Sequence, residues 1–351
     1  MRNKVLKTLL NVMYYSRLQK FFSRWTQGAG AILMLHHVRD DTVSQFAPNQ
    51  HLQITPEFLD QVLTRLKRRG YEFVSLDKIH ARLGEKNLHR YRKMIAVTLD
   101  DGYRDNLENA VPIFRKHKVP YTIFIAPGLI DGRAQLWWED LSAIIASRDH
   151  IVLALPKGRL EFDVSDLEKK HRVFNEILQW LTTQVDEEEQ RKIVHELAWM
   201  YKIDTKAHCK SQVMNWREIN QLASDPLCTI GAHTIHHYAV ARLDEKSARW
   251  EMHESAKILQ GELGYMPEHF AYPYGYPAAA GFRDFEIARK LGFKTAVTTR
   301  HGVVHKKYAE YLQALPRISL NGNFQSWHYV ETLLSGLPAM LQNRGRWLNI
   351  K

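Results

Sequence analysis

Short apolar runs alternate with helical patterns along most of this chain. Met94-Ile95-Ala96-Val97 and Cys228-Thr229-Ile230-Gly231-Ala232 exemplify the runs, which are brief and bounded by turn-forming residues. The strands so predicted are Ala31–His36, Glu72–Ser75, Met94–Leu99, Tyr121–Ala126, Cys228–Ala232, His269–Tyr272, Phe293–Thr298 and Leu315–Leu320. Between them, apolar positions at helical spacing predict helices over Pro56–Arg69, Asn109–His117, Ser247–Leu263 and Arg283–Leu291. Gly70, Gly264 and Gly292 stand where such helices stop. Alternation of this kind implies an α/β protein with a parallel sheet, closed or distorted into a barrel.

Three segments depart from the alternation. Some 80 residues between Gly132 and Trp216 open with Gln135-Leu136-Trp137-Trp138-Glu139-Asp140-Leu141. A hairpin pattern follows, Ile151–Leu155 turning at Pro156-Lys157-Gly158, and then two charged helices over Leu167–Thr182 and Asp186–Tyr201. This reads as a mainly helical insertion, residues 132–215, in a barrel loop, with too few apolar residues for a core of its own. At the start, residues 1–29, Leu6, Leu10, Met13/Tyr14, Leu18, Phe21 and Trp25 predict one basic amphipathic helix. It either lies on anionic lipid or packs on the domain that follows. The tail 323–351, with Leu333, Leu334, Leu337 and Met340, admits the same two readings.

Charge sharpens the picture of the ends. The net charge is +11, yet no acidic residue precedes Asp40 and none follows Glu331. Both termini are therefore cationic, which suits an anionic surface. The basic residues lack the aromatic interleaving of single-strand binders, so nucleic acid is not an expected partner. Leu9–Tyr15 makes a poor signal-peptide core because Asn11 interrupts it, and no apolar stretch of roughly 18 residues could span a bilayer. The expectation is a cytoplasmic protein, peripheral on the inner face of the cell membrane. Cys209 and Cys228 have no metal-type or CxxC spacing, which fits a reducing compartment and argues against thiol chemistry.

Two motifs carry the candidate chemistry. Thr98-Leu99-Asp100-Asp101-Gly102 puts adjacent carboxylates at the end of one predicted strand. His233-Thr234-Ile235-His236-His237 puts two imidazoles four residues apart after another. One carboxylate and two histidines make a three-ligand metal site with open positions, and the second carboxylate is free to act as a base. The C-terminal ends of barrel strands are where such enzymes place their chemistry.

These segments resemble the NodB-homology polysaccharide deacetylases, carbohydrate esterase family 4. Thr98–Gly102 is similar to that family's first motif, TFDDG, with Leu99 in place of Phe, and His233–His237 to its second, H-[ST]-x-x-H. Phe270-Ala271-Tyr272-Pro273-Tyr274-Gly275 resembles the third in its bacterial FAYPYG variant, and Leu33-Met34-Leu35-His36-His37-Val38 resembles that variant's first strand. The resemblance covers roughly residues 30–322 and implies a distorted (β/α) barrel of the NodB-homology type. It implies Asp101, His233 and His237 as ligands of a divalent metal, Zn2+ first, with Co2+, Ni2+ or Fe2+ as alternatives, and His236 as a bystander. Asp100 becomes the general base, and the backbone N–H of Tyr274 faces an oxyanion. The implied reaction is removal of an N-acetyl group from a hexosamine in a polysaccharide, oligosaccharide or glycolipid. Removal of an acetyl or formyl group from a lipid-linked sugar at the membrane face, or glycan binding without turnover, are the competing readings.

The chain departs from better-known members in three places. Ala271 stands where their third motif carries an Arg, Thr295-Ala296-Val297-Thr298-Thr299 lacks their Asp-Trp pattern, and Leu315-Pro316-Arg317 stands where they have L-x-H. Arg317, ending a strand, is expected to reach in and orient Asp100. His36, ending the first strand, is the first candidate for general acid, and His37 the second. Trp137 and Trp138, with Tyr272, are candidates for a sugar-binding platform, although the tryptophans could equally cover the inserted helices.

Overall fold

In the computed structural model, which describes residues 2–40, 45–85, 93–155 and 158–350, seven of the eight predicted runs form one parallel barrel. They are β1 (Gly30–Leu35), β2 (Met94–Leu99), β3 (Tyr121–Ile125), β4 (Cys228–Ala232), β5 (His269–Ala271), β6 (Thr295–His301) and β7 (Leu315–Ser319). Neighbours run β1-β7-β6-β5-β4-β3-β2, and pairing of β1 with β2 along their whole length closes the ring. The remaining run, Glu72–Phe73, lies outside it. That short strand pairs Met94 and Ile95 at the foot of β2, leaving Val97–Leu99 to pair β3.

Burial on both faces explains why these strands are continuously apolar. On β2, Ile95, Val97 and Leu99 meet the helical layer in one core with Leu63, Phe114 and Ile219. The alternate residues Met94 and Ala96 fill the interior with Ile32, Phe124 and Val297. Extending that inward series by period two reaches Thr98 and then Asp100. The outer helices follow from local signals: Thr55 caps the helix Pro56–Arg68 by accepting from Phe58 N, Pro56 starts it, and Phe58, Leu59, Val62, Leu63 and Leu66 form its buried stripe.

The insertion comprises the helix Trp137–Ala146, an antiparallel hairpin of His150–Leu155 with Gly158–Asp163, and the helices Leu167–Thr183, Glu187–Met200 and Thr205–Gln212. Pro156 and Lys157, the expected turn, lie outside the described residues. Contrary to expectation, the insertion has a core of its own. Leu141, Ile144, Ile151, Phe174, Ile177, Leu181, Val194 and Leu197 are buried together, and Tyr103, Ala126 and Leu129 join them from the barrel. Few apolar residues suffice because each helix concentrates them on one stripe.

The ends also differ from the sequence reading. Instead of one N-terminal helix there are two, Arg2–Tyr15 and Leu18–Thr26, broken where Arg17 adopts a left-handed φ of 61°. The tail likewise forms Trp327–Leu334 and Leu337–Gln342, broken at Gly336, with Val330, Leu334 and Leu337 buried. Both pairs pack on the domain through one face. Among the described residues no helix is long and apolar enough to cross a membrane.

Candidate active site

The two adjacent carboxylates reach one side through backbone strain. Asp100 continues the inward register of β2, its N–H donating to Leu35 O at 3.1 Å. Asp101 would point outward on a straight strand, but it takes φ 71°, followed by Gly102 at φ 74°. A side chain at Gly102 could not share that space, since its Cβ would come within 2.8 Å of Ile125 Cδ1. Thr234, His237 and Tyr274 also have positive φ, at 55°, 56° and 59°. Left-handed non-glycine residues cost free energy, and strain concentrated around one cluster is characteristic of functional sites.

Asp101, His233 and His237 are buried, with their ligand atoms mutually within 4.8 Å. Asp101 Oδ1 lies 3.4 Å from His233 Nε2 and 3.2 Å from His237 Nε2. His233 Nδ1 sits 2.7 Å from Ala271 O, which can only accept, so Nδ1 carries a proton and Nε2 is the nitrogen aimed at Asp101. Burial is the main reason that His237 is pushed down to about 4, so that ring is neutral near pH 7. Two ring nitrogens and a carboxylate oxygen therefore converge. Asp101 Oδ1 receives no hydrogen bond among the described residues. Such a set fits a divalent cation, whose nitrogen and oxygen ligands stand about 2.0–2.2 Å from the ion.

The histidine loop is held from behind. Glu251, buried on the helix Glu245–Leu263, accepts from Ile235 N at 2.9 Å and His236 N at 3.0 Å, and its other oxygen meets His236 Nδ1 at 2.6 Å. His236 is thereby turned away from the cluster. Across the barrel mouth, Arg317 grips Asp100 with both terminal nitrogens at 2.7 Å. The same guanidinium donates to Thr98 Oγ1 at 3.1 Å and Thr298 O at 2.9 Å. Burial pushes the Asp100 carboxyl up, but the charge and hydrogen bonds of Arg317 outweigh it and leave the pKa below the ordinary range. His36 stands beside the pair, Nε2 3.9 Å from Asp100 Oδ2, and burial pulls its pKa down despite both carboxylates. His37 faces away: Nδ1 meets Asp105 Oδ2 at 2.5 Å, and the ring lies on Tyr103.

A model of the family described as polysaccharide deacetylase matches residues 88–153 and 180–296, more than half of the chain, including Asp100, Asp101, His233, His237 and Tyr274. The chain belongs to the polysaccharide deacetylase family. Members are hydrolases acting on amide C–N bonds. Among solved structures, the deacetylase PplD of Streptococcus pyogenes, in complex with acetate, is 19% identical with a TM-score of 0.57, over 87% of this chain and 97% of that one. IcaB from Ammonifex degensii is 19% identical with a TM-score of 0.54, over 87% and 96%. The BpsB deacetylase domain from Bordetella bronchiseptica is 17% identical with a TM-score of 0.50, over 83% and 95%. These likenesses support the barrel fold. No curated protein sequence matches the chain significantly.

The expected sugar platform is not formed in this polysaccharide deacetylase. Trp137 is 2% exposed and Trp138 6%, so neither ring offers an open face. Trp137 Nε1 donates to Tyr274 Oη at 2.8 Å, and the Trp138 ring walls the site 4.8 Å from that of His237. Tyr272 shares the outward parity of Phe270, is buried against Phe285, and donates its hydroxyl to Gln313 O. Sequence reasoning also missed Arg191, on the insertion helix Glu187–Met200, which donates to His237 O at 2.8 Å and approaches Tyr274 Oη at 3.4 Å. It missed Glu251 too, although a signal existed. Glu251 falls on the stripe of Ala248, Met252, Ser255 and Leu259, where a lone acid among small and apolar residues needs an internal partner.

Proposed function

We propose that this chain hydrolyses the N-acetyl group of a hexosamine in a polysaccharide, oligosaccharide or glycolipid, in a metal-dependent reaction that leaves a free amine and acetate. One observation carries the reading: Nε2 of His233 and Nε2 of His237 converge on a hydrogen-bond-free oxygen of Asp101 in a buried site, beside an Asp100 locked by Arg317. Asp101, His233 and His237 would hold a divalent cation, zinc first by donor set with cobalt, nickel or iron as alternatives, which when bound supplies Lewis acidity. Asp100 takes a proton from the attacking water, and its low pKa keeps it ionised and ready to do so. Arg317 fixes both its oxygens, so the accepting lone pair is aimed before substrate arrives. The strained turn at Tyr274 leaves its N–H without an acceptor among the described residues, which supports a role in stabilising the oxyanion. His36, neutral at rest and 3.9 Å from Asp100, is placed to receive that proton and deliver it to the leaving amine.

Family membership supports the substrate class, as do PplD and BpsB, which are described as deacetylases. The test is acetate release from N-acetylglucosamine oligomers and from membrane glycolipids, comparing wild type with Asp100→Asn and measuring metal content in both. Turnover should fall at least ~100-fold while metal is retained. Equal turnover would remove Asp100 from the mechanism, and absence of acetate release from either substrate by wild type would favour binding without turnover.

A further inference from the structure

We propose that the N-terminal helix pair docks this protein on an anionic lipid bilayer. The inner faces of the two helices are already spoken for. Leu10, Met13, Gln19 and Thr26 are buried, Asn11 Oδ1 lies 3.0 Å from His328 Nε2, and the Thr26 hydroxyl donates to Ser335 O. The outer faces remain uncovered and are apolar as well. Val5, Leu9 and Val12 recur at i, i+4 and i+7 on the first helix, with Val12 55% exposed. Leu18, Phe21, Phe22 and Trp25 do the same on the second, with Phe21 60% and Trp25 49% exposed. Of 19 large apolar side chains exposed among the described residues, nine lie between Val5 and Trp25. Exposed apolar residues scattered singly are ordinary, whereas a concentration like this one marks an interaction surface.

Charge selects the occupant. Lys4, Arg17, Lys20 and Arg24 are exposed beside the apolar row, and no acidic residue precedes Asp40. A second copy docked helix pair to helix pair would oppose two cationic segments, neither of which carries a carboxylate of its own. Lipid phosphates do answer them, at a gain that salt screens. The Arg24 guanidinium stacks 3.7 Å from the centroid of the Trp25 ring. That arrangement lets the ring enter the acyl boundary while the charge stays at the headgroups. With 14 and 9 residues, the helices suit lying in the interface plane.

Contacts from the inner side of the first helix lead toward the barrel mouth. Lys7 Nζ lies 5.7 Å over the Phe324 ring, and the turn Gly322–Phe324 packs on the turn Gln50–Leu52. Beside that turn, Asn49 donates to the carbonyl of Trp138, whose ring walls His237. The exposed row of the second helix lies elsewhere, because that helix runs through Thr26 to Gly30, where β1 begins at the end of the barrel opposite the site. The docking proposal does not rest on the hydrolase reading.

The experiment is co-sedimentation of the full chain with vesicles of phosphatidylcholine alone, or with about one third phosphatidylglycerol. Binding should be roughly tenfold tighter or more to the anionic vesicles and should weaken as salt rises. The double variant Phe21→Glu/Trp25→Glu should lose at least about tenfold, whereas Trp199→Glu, altering an 81% exposed ring on the insertion, should bind as wild type. Lys20→Glu/Arg24→Glu, which spares the apolar row, should abolish the preference for anionic lipid. Wild type that ignores anionic vesicles, or equal losses from Trp199→Glu, would overturn the proposal. So would a vesicle-free dimer dissolved by Phe21→Glu/Trp25→Glu, which would give the face to a second copy. Acetate release from soluble oligomers reports on the hydrolase reading separately.

Discussion

A carboxylate buried as deeply as Asp100 ought to prefer its neutral acid, and a single guanidinium reverses that preference. Arg317 and Asp100 are almost wholly withdrawn from water, and their two hydrogen bonds of 2.7 Å form a planar fork. Arg317→Ala would strand a buried charge, so stability should fall by about 3–5 kcal/mol, read from the denaturant midpoint. The same change removes what holds the Asp100 pKa down. Its ionised form would then be lost at a higher pH on acidification, and the acid limb of the turnover profile should move upward. Arg317→Lys returns the charge without the fork and should restore only part of the turnover. Undiminished turnover in Arg317→Ala would end its assignment as a positioning residue. Arg317 was legible in the sequence because a basic residue stands where better-known members carry a histidine, although it lies in the middle of β7 and not at the strand end expected for it. Arg191 was not, since one more charge in Glu187-Glu188-Glu189-Gln190-Arg191-Lys192 looks like any solvated helix face.

Strands place the carboxylates, but it is a helix that places the histidines. Glu251 satisfies two backbone N–H groups of the loop carrying His233 and His237, so Glu251→Ala orphans both in a buried setting. We expect Glu251→Ala to weaken metal affinity about 10–100-fold, measured by competition with a chelator, because partners behind the ligands orient them. Unchanged affinity with an intact fold would show that the left-handed turns at Thr234 and His237 hold the loop unaided. At this scale the barrel strands were readable within one to three residues, the largest miss being the end of β6, since double-sided burial imposes continuous apolar runs. Of the two terminal breaks, the one at Gly336, with Pro338 just beyond, carried a signal that went unused, and the other was not readable. The N-terminal break falls at Arg17, a residue with no preference for the left-handed region, and amphipathic spacing continues unperturbed across it.

At the scale of the whole molecule, a barrel and a second hydrophobic core meet at the site, and Arg191 and Trp138 reach it from the inserted side. The stability of the insertion should therefore govern turnover, and a titratable pair within it gives that coupling a pH dependence. His208, on the helix Thr205–Gln212, lies 2.7 Å from Asp140, on the helix Trp137–Ala146. Its hydrogen bond to the Asp140 carboxylate raises the His208 pKa against the opposing effect of burial. A histidine with a raised folded pKa contributes stability fully below its unfolded value, about 6.5, and loses it as pH rises through the folded value. Asp140 is shifted upward by burial from the carboxylate range, which places its own contribution at more acid pH. Amide exchange in residues 133–213 should therefore quicken as pH rises above about 6.5 beyond its intrinsic rise, while the barrel strands show no such excess. His208→Gln keeps a hydrogen bond but cannot titrate, so it should abolish the excess. If the insertion of that variant loosens with pH as wild type does, the pair is not the switch, and the two cores are held together by packing alone.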